Sequence, residues 1–435
     1  MLDIVSCLGI VGCFISISSG APAPAPVEHE KRDAYGDALS SLTAIRPTAT
    51  PADVSAASAA LSSIINATPT PANLFETAGN IAKAGLSSDT PADLLGFVNG
   101  VLTGQNSEIN VNLRIPAITV YPKAGSSDAP YSLTEAQLRA AIYIPPTFKY
   151  GKGVQPVILV PGTGDTGYTT FIGNYIPLLQ GSNIGDPVWL NIPGYLLGDA
   201  QINAEYVAYA INYIYGISGK RNVAVLAWSQ GNIDAQWAYK YWPSTRSKVT
   251  DQIAFSPDYH GTVVADLASL PGEPLPPSLL QQRYNSQFIT TLRSNGGDSA
   301  YVPTTNIYSG FFDEIVQPQS GTGASAFLKD ARNVGVTNNE VQSICTGQAA
   351  GSFYTHEGTL YNPLGFALAV DALTHAGPGS ASRVRLSTVC NDYITLGLDL
   401  GDFLLTENTV LIAGISILAY PFKVFNEPAI KSYAR

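Results

Sequence analysis

The stretch VLAWSQGN, residues 225–232, closes a strand pattern over Asn222–Ala227 and opens a helical pattern that reaches residue 241. A short run of valine and leucine ending in a tight turn reads as a buried strand, and the spacing that follows predicts a helix over 231–241. A serine on such a strand-to-helix turn presents its hydroxyl near a helix N-terminus, where partial positive charge favours a developing anion. The stretch departs from the pattern G-x-S-x-G in one place. Ala227 stands where the first glycine is expected, while Gly231 holds the second. On these residues alone Ser229 is either an activated nucleophile or a serine that caps the helix.

The surroundings repeat the same grammar. Residues 155–160 (QPVILV) end at Pro161-Gly162 and read as a buried parallel strand; 187–191 reads as another strand, and 252–255 and 305–308 are further strand candidates. Residues 199–217 place Ile202, Tyr206, Tyr209 and Tyr213 at helical spacing. Strands alternating with helices predict an α/β fold with a mostly parallel sheet flanked by helices. Ligand chemistry in such folds gathers at the carboxyl ends of the strands.

With 435 residues the chain is long enough for one large α/β domain and an appendage, and 45% of it is hydrophobic. Charged residues make up only 13%, the net charge is −10, and no basic cluster occurs, which argues against a nucleic-acid partner. Residues 1–20, MLDIVSCLGIVGCFISISSG, read as a secretory signal peptide, although Asp3 replaces the usual basic start and a short anchor is the other reading. Residues 21–32, a Pro/Ala-rich segment ending in Lys31-Arg32, read as a propeptide, with an uncut linker as the alternative. Secretion would remove Cys7, Cys13 and His29, and an oxidising route would pair Cys345 with Cys390. Two cysteines and scattered histidines form no zinc pattern, so no zinc site is expected; no organic cofactor is expected either. Asn66-Ala67-Thr68 is the single glycosylation sequon.

Residues 33–128 are rich in Ala, Ser, Thr and Pro, and T-P-A-[DN] recurs at 50–53, 70–73 and 90–93. Each copy precedes a short helical pattern, which predicts a small helical N-terminal region, packed or partly mobile, ahead of a catalytic domain over 129–435.

A serine needs a base, and in this fold an acid and then a histidine follow the nucleophile along the chain. Asp313 falls on a loop after the strand 305–308, with Glu314 as the alternative acid. His260 comes too soon to leave room for an acid strand, which leaves His356 and His375.

The segments VPGTG from 160, WSQG from 228, PSTRSKV from 243, AFSPDY from 254, VPTTN from 302 and DEIVQP from 313 occur in one order. Together they resemble the fungal lipases typified by Candida antarctica lipase B, over residues 131–435. That resemblance implies an α/β-hydrolase fold, with Ser229 as nucleophile, Asp313 as orienting acid and His356 as base. It favours His356 over His375 because only His356 brings Cys345 and Cys390 onto a bridged pair without large gaps. It further implies an oxyanion hole from Thr163 and the backbone of Gln230, a pocket at Trp228 and Val316, and a polar modulating residue at Asp258. The apolar segment 409–422 matches a helix at the pocket mouth and is too short to span a bilayer. Partners for two of that family's three disulfides are absent, and region 33–128 is extra.

The expected protein is a secreted, monomeric lipase or carboxylesterase acting on acylglycerols or related esters at a lipid–water interface. The alternatives are an acyltransferase using the same residues and a non-catalytic lipid-binding scaffold.

Overall fold

The computed structural model describes residues 33–435, so the expected signal peptide over 1–20 and propeptide over 21–32 lie outside the described residues. Residues 34–435 form one compact unit. Its centre is a seven-stranded sheet of β1 (Ile142–Tyr143), β2 (Pro156–Val160), β3 (Asp186–Leu190), β4 (Val223–Trp228), β5 (Val249–Phe255), β6 (Thr304–Tyr308) and β7 (Val336–Glu340). The order is β1-β3-β2-β4-β5-β6-β7, with β1 antiparallel and the rest parallel.

Every residue of β2 and β4 is buried, which is why both read as unbroken apolar runs. Successive side chains leave opposite faces of a strand, and the two cores follow that alternation. Leu159, Leu226 and Phe255 enter one core, Val160, Val225 and Ala254 the other. The strands β1 and β7 had no sequence signature. β1 has only two residues, and β7 (VTNNE) is a polar, half-exposed edge strand.

The first core is shared with the N-terminal helices α1 (Ala34–Thr43), α2 (Val54–Ile65), α3 (Leu74–Lys83) and α4 (Pro91–Asn99), through Leu42, Leu61, Phe75, Ile81 and Leu94. The last three of these helices follow the repeated T-P-A-[DN] starts, but the proline opens a helix only at α4. In α2 and α3 the fourth residue of the motif is the cap: Asp53 accepts the Ala56 N–H at 2.8 Å, and Asn73 that of Glu76 at 2.9 Å. Such caps are each worth about 1 kcal/mol. Helix ends at Asn99 apart from a short turn over Gly104–Asn106, and residues 107–133 carry neither helix nor strand.

The apolar segment expected over 409–422 belongs to a longer helix, Leu400–Ala419, which stops ahead of Pro421. Its first turns were missed because Asp402, Thr406, Glu407 and Asn408 interrupt their apolar residues, although Thr406, Glu407 and Asn408 are buried. With 20 residues it is long and apolar enough to cross a membrane, yet most of it is buried within this fold.

Candidate active site

β4 ends at Trp228 and the next helix, Gln230–Tyr241, begins two residues later, so Ser229 alone makes the turn. It does so at φ +52° and ψ −131°, a conformation that L-residues rarely adopt. Three contacts hold it there. The Ser229 N–H bonds to the Phe255 carbonyl at 3.0 Å, and Asn232 Nδ2 donates to the carbonyls of Ser229 and Phe255, both at 3.1 Å. A Cβ on Gly231 would lie 2.5 Å from the Pro161 carbonyl oxygen, so only glycine fits there. Ala227 faces no such limit: it is a buried strand residue in register with Val160 and Ala254. Asn232, which pins the turn from three residues away, carried no sequence signal.

Asp313 lies on the loop beyond β6, and His356 on the segment that follows β7. Nδ1 of His356 is 2.9 Å and 3.0 Å from the two carboxylate oxygens of Asp313. Asp313 Oδ1 also accepts the N–H groups of Ile315 at 3.1 Å and Val316 at 2.7 Å, which aims the carboxylate. The histidine backbone is held as firmly. Its N–H donates to Glu314 Oε2 at 3.0 Å, and its carbonyl accepts from Ser256 Oγ at 2.8 Å and Trp228 Nε1 at 3.2 Å. Glu314, the alternative acid, therefore touches the backbone of His356 and not its ring.

The other ring nitrogen, Nε2, is buried and has no hydrogen-bond partner among the described residues. His356 and Ser229 both line one cavity of about 660 Å³, counted out to its open mouth. Thr163, Trp228 and Gln282 line it as well, while Val264, Leu279, Ala413 and Ile417 give it an aliphatic wall. Val316 was expected in this wall and is not there. Its backbone N–H serves Asp313 and its side chain is buried, while Ile315 lines the cavity. Asp258 does not line it either; it is fully buried, and its charge and that of His356 act on one another.

Gln230, first in its helix, has a backbone N–H with no intrahelical acceptor. The Thr163 hydroxyl contacts Gln230 Oε1 at 2.8 Å and Gln282 Oε1 at 3.1 Å. Neither Gln282 nor Leu74, which also lines the cavity, had been singled out from the sequence. Of the remaining histidines, His260 is held down to about 4 by burial and nearby Arg293. His375 is half-exposed and pairs with Asp371 at 3.1 Å. Cys345 and Cys390 form a disulfide with Cα atoms 5.4 Å apart.

The electrostatics are dominated by buried carboxyls. Burial, then the neighbouring Glu357 and Asp313, push Glu314 well above the usual carboxylate range, and burial and Glu357 do the same to Glu407 and Asp165. Burial raises Asp258 to about 7, with His356 pulling it down. For His356 itself, burial opposes charge, but Asp313 outweighs it through proximity and the hydrogen bond, so the imidazolium persists above its ordinary range. That is the arrangement a histidine needs to receive a proton in a dry site.

No protein-family model matches the chain. Lipase B of Pseudozyma antarctica is 37% identical over 289 residues, which span 65% of this chain and 79% of that protein. The crystal structure of Aspergillus fumigatus lipase B matches at 51% identity and a TM-score of 0.83, covering 92% of this chain and 93% of the other.

The chain belongs to the fungal lipase B family.

This lipase is therefore a serine ester hydrolase of the α/β-hydrolase fold, matching the resemblance read from its motifs. The Aspergillus match spans nearly the whole chain and so includes most of the N-terminal helical region, whereas the Pseudozyma match leaves about a third of this chain uncovered.

Proposed function

We propose that this lipase hydrolyses its esters through Ser229, His356 and Asp313. The Ser229 hydroxyl attacks the ester carbonyl while its proton passes to His356 Nε2. Asp313 holds the imidazole by Nδ1–H and stabilises the imidazolium. Negative charge on the carbonyl oxygen is met by the backbone N–H groups of Gln230 and Thr163, with the Thr163 hydroxyl turning from its glutamine partners to join them. The alkoxide leaves with the proton from His356, and an acyl group remains on Ser229. Water then attacks that acyl group, giving its proton to His356, and the carboxylic acid departs as Ser229 recovers its hydrogen. The observation that carries the reading is the His356–Asp313 pair, whose free Nε2 borders the cavity that also holds Ser229.

The aliphatic cavity wall supports acylglycerols and other esters of apolar acids as substrates, met at a lipid–water interface. The leader, the Cys345–Cys390 disulfide and the exposed Asn66 support a secreted, glycosylated protein, read here as a monomer, with residues 33–128 preceding the catalytic domain 129–435. The test is to compare Ser229→Ala, His356→Ala and His375→Ala on a soluble ester. The first two are expected to lose roughly 10⁴-fold or more in kcat, and His375→Ala to stay near wild type. A fluorophosphonate that labels some residue other than Ser229 would sink the assignment.

A further inference from the structure

The cavity is not built by the hydrolase sheet alone. Its polar end holds Ser229, Thr163 and His356, and one long side is the helix Leu400–Ala419. Another part of the wall comes from the N-terminal region: Leu74, the first residue of α3, is buried and lines the cavity.

Leu74 is held as a fixed wall. Asn73 caps α3 through the Glu76 N–H at 2.9 Å, and Glu76 Oε2 reaches back to the Ala72 N–H at 2.7 Å, so both sides of Leu74 are pinned. One turn on, α3 rests against the long helix: a Cβ on Gly414 would sit 3.6 Å from the Ala78 Cβ and 3.9 Å from Phe75. The same helix is clamped by the loop after α3, where Asn408 Nδ2 donates to Ser88 Oγ at 2.7 Å and its Oδ1 accepts the Ser88 N–H at 3.2 Å.

We propose that Leu74 is a specificity-determining residue, closing the aliphatic wall against the acyl chain, so that the N-terminal helices help set which acids this enzyme releases. The proposal rests on the reading of Ser229 as nucleophile. The substrate class is an aliphatic acyl ester whose chain runs along the long helix toward α3. A leucine offers no hydrogen bond, so it discriminates by volume alone, and one methylene in an apolar pocket is worth about 10- to 200-fold in kcat/KM.

The experiment uses the full secreted chain and two ester series: p-nitrophenyl esters of increasing acyl length, and butyrate esters of increasing alcohol size. Leu74→Ala is expected to raise the long-to-short acyl ratio of kcat/KM about tenfold, and Leu74→Phe to lower it by a similar factor. The alcohol series is expected to keep its wild-type ranking in both. Leu74→Val, a smaller truncation, replaces Leu74→Ala if that variant does not fold, with the same sign of change. Acyl ratios that stay within twofold of wild type, or that move the same way in the Ala and Phe variants, overturn the proposal, as does a shift confined to the alcohol series. Fluorophosphonate labelling of Ser229 separates the two readings: labelled variants with unchanged ratios reject Leu74 alone, whereas an unlabelled Ser229 in the wild type rejects the nucleophile.

Discussion

Gly164 is pressed against Ala413: a Cβ on Gly164 would stand 2.6 Å from the Ala413 Cα, on a residue whose φ is already +80°. The loop that carries Thr163 therefore has its position set by the helix Leu400–Ala419, and through that helix by α3. Neither partner can retreat freely, because Gly164 N–H also bonds to the Tyr195 carbonyl at 2.8 Å and Ala413 belongs to a mostly buried helix.

Replacing Gly164 by alanine combines left-handed strain with a backbone clash. The expected stability loss is about 1–3 kcal/mol by denaturant unfolding, with kcat falling at least tenfold as Thr163 moves. Unchanged kcat in a destabilised protein would show that the loop position is irrelevant to turnover.

Asp258→Asn tests the long-range charge on His356. His356 must be neutral to accept a proton, so activity falls as pH drops through its raised pKa. Asp258, itself pushed up to about 7, is one of the groups that raise His356. Removing its charge should move the acid limb of the kcat/KM profile toward lower pH. A limb that stays in place would remove Asp258 from the electrostatics of the site.

Stability should run opposite to activity. Asp165, Asp234, Glu314 and Glu407 are raised well above their ordinary range by burial, and Glu108, Asp251 and Asp258 to about 7. A carboxyl whose folded pKa exceeds its unfolded one holds more protons in the folded state. Its contribution is complete below the unfolded value and is lost as pH rises toward the folded one. His260, lowered to about 4, works against this trend, but it is one group against seven. Calorimetric Tm is expected to fall by several degrees between about pH 5 and about pH 7.5. A Tm that climbs across that window would contradict the carboxyl assignment.

The disulfide closes a 45-residue separation that includes His356. Loop-closure entropy for that length is worth about 4 kcal/mol. The double substitution Cys345→Ala with Cys390→Ala should lower unfolding free energy by roughly 2–5 kcal/mol. Under denaturant titration, a loss below about 1 kcal/mol would mean that packing around Tyr354 and Tyr393 already holds the segment.

Particular residues show where the sequence was readable. The strand into Ser229 and the helix out of it were legible because each has its own side-chain period; in the structure the strand is shifted by one residue and the helix begins one residue earlier. Asp313 and Thr163 were singled out through motifs whose order matched a known family. Val316 was misplaced because neighbouring loop residues point in different directions, which spacing alone does not encode. β7 and the first turns of the long helix were missed because buried polar residues such as Asn339 and Glu407 look like surface.

By itself the sequence determined the α/β alternation, the strand-to-helix turn at Ser229, and the short helices that follow the T-P-A-[DN] starts. Those features are local, set by backbone sterics and by hydrogen bonds a few residues apart. Only the tertiary structure decided which imidazole meets Asp313, 43 residues away, and that a leucine from α3 reaches the cavity of Ser229. Contacts of that kind arise when distant segments bury apolar surface against one another, and no short window of sequence carries the geometry of that packing.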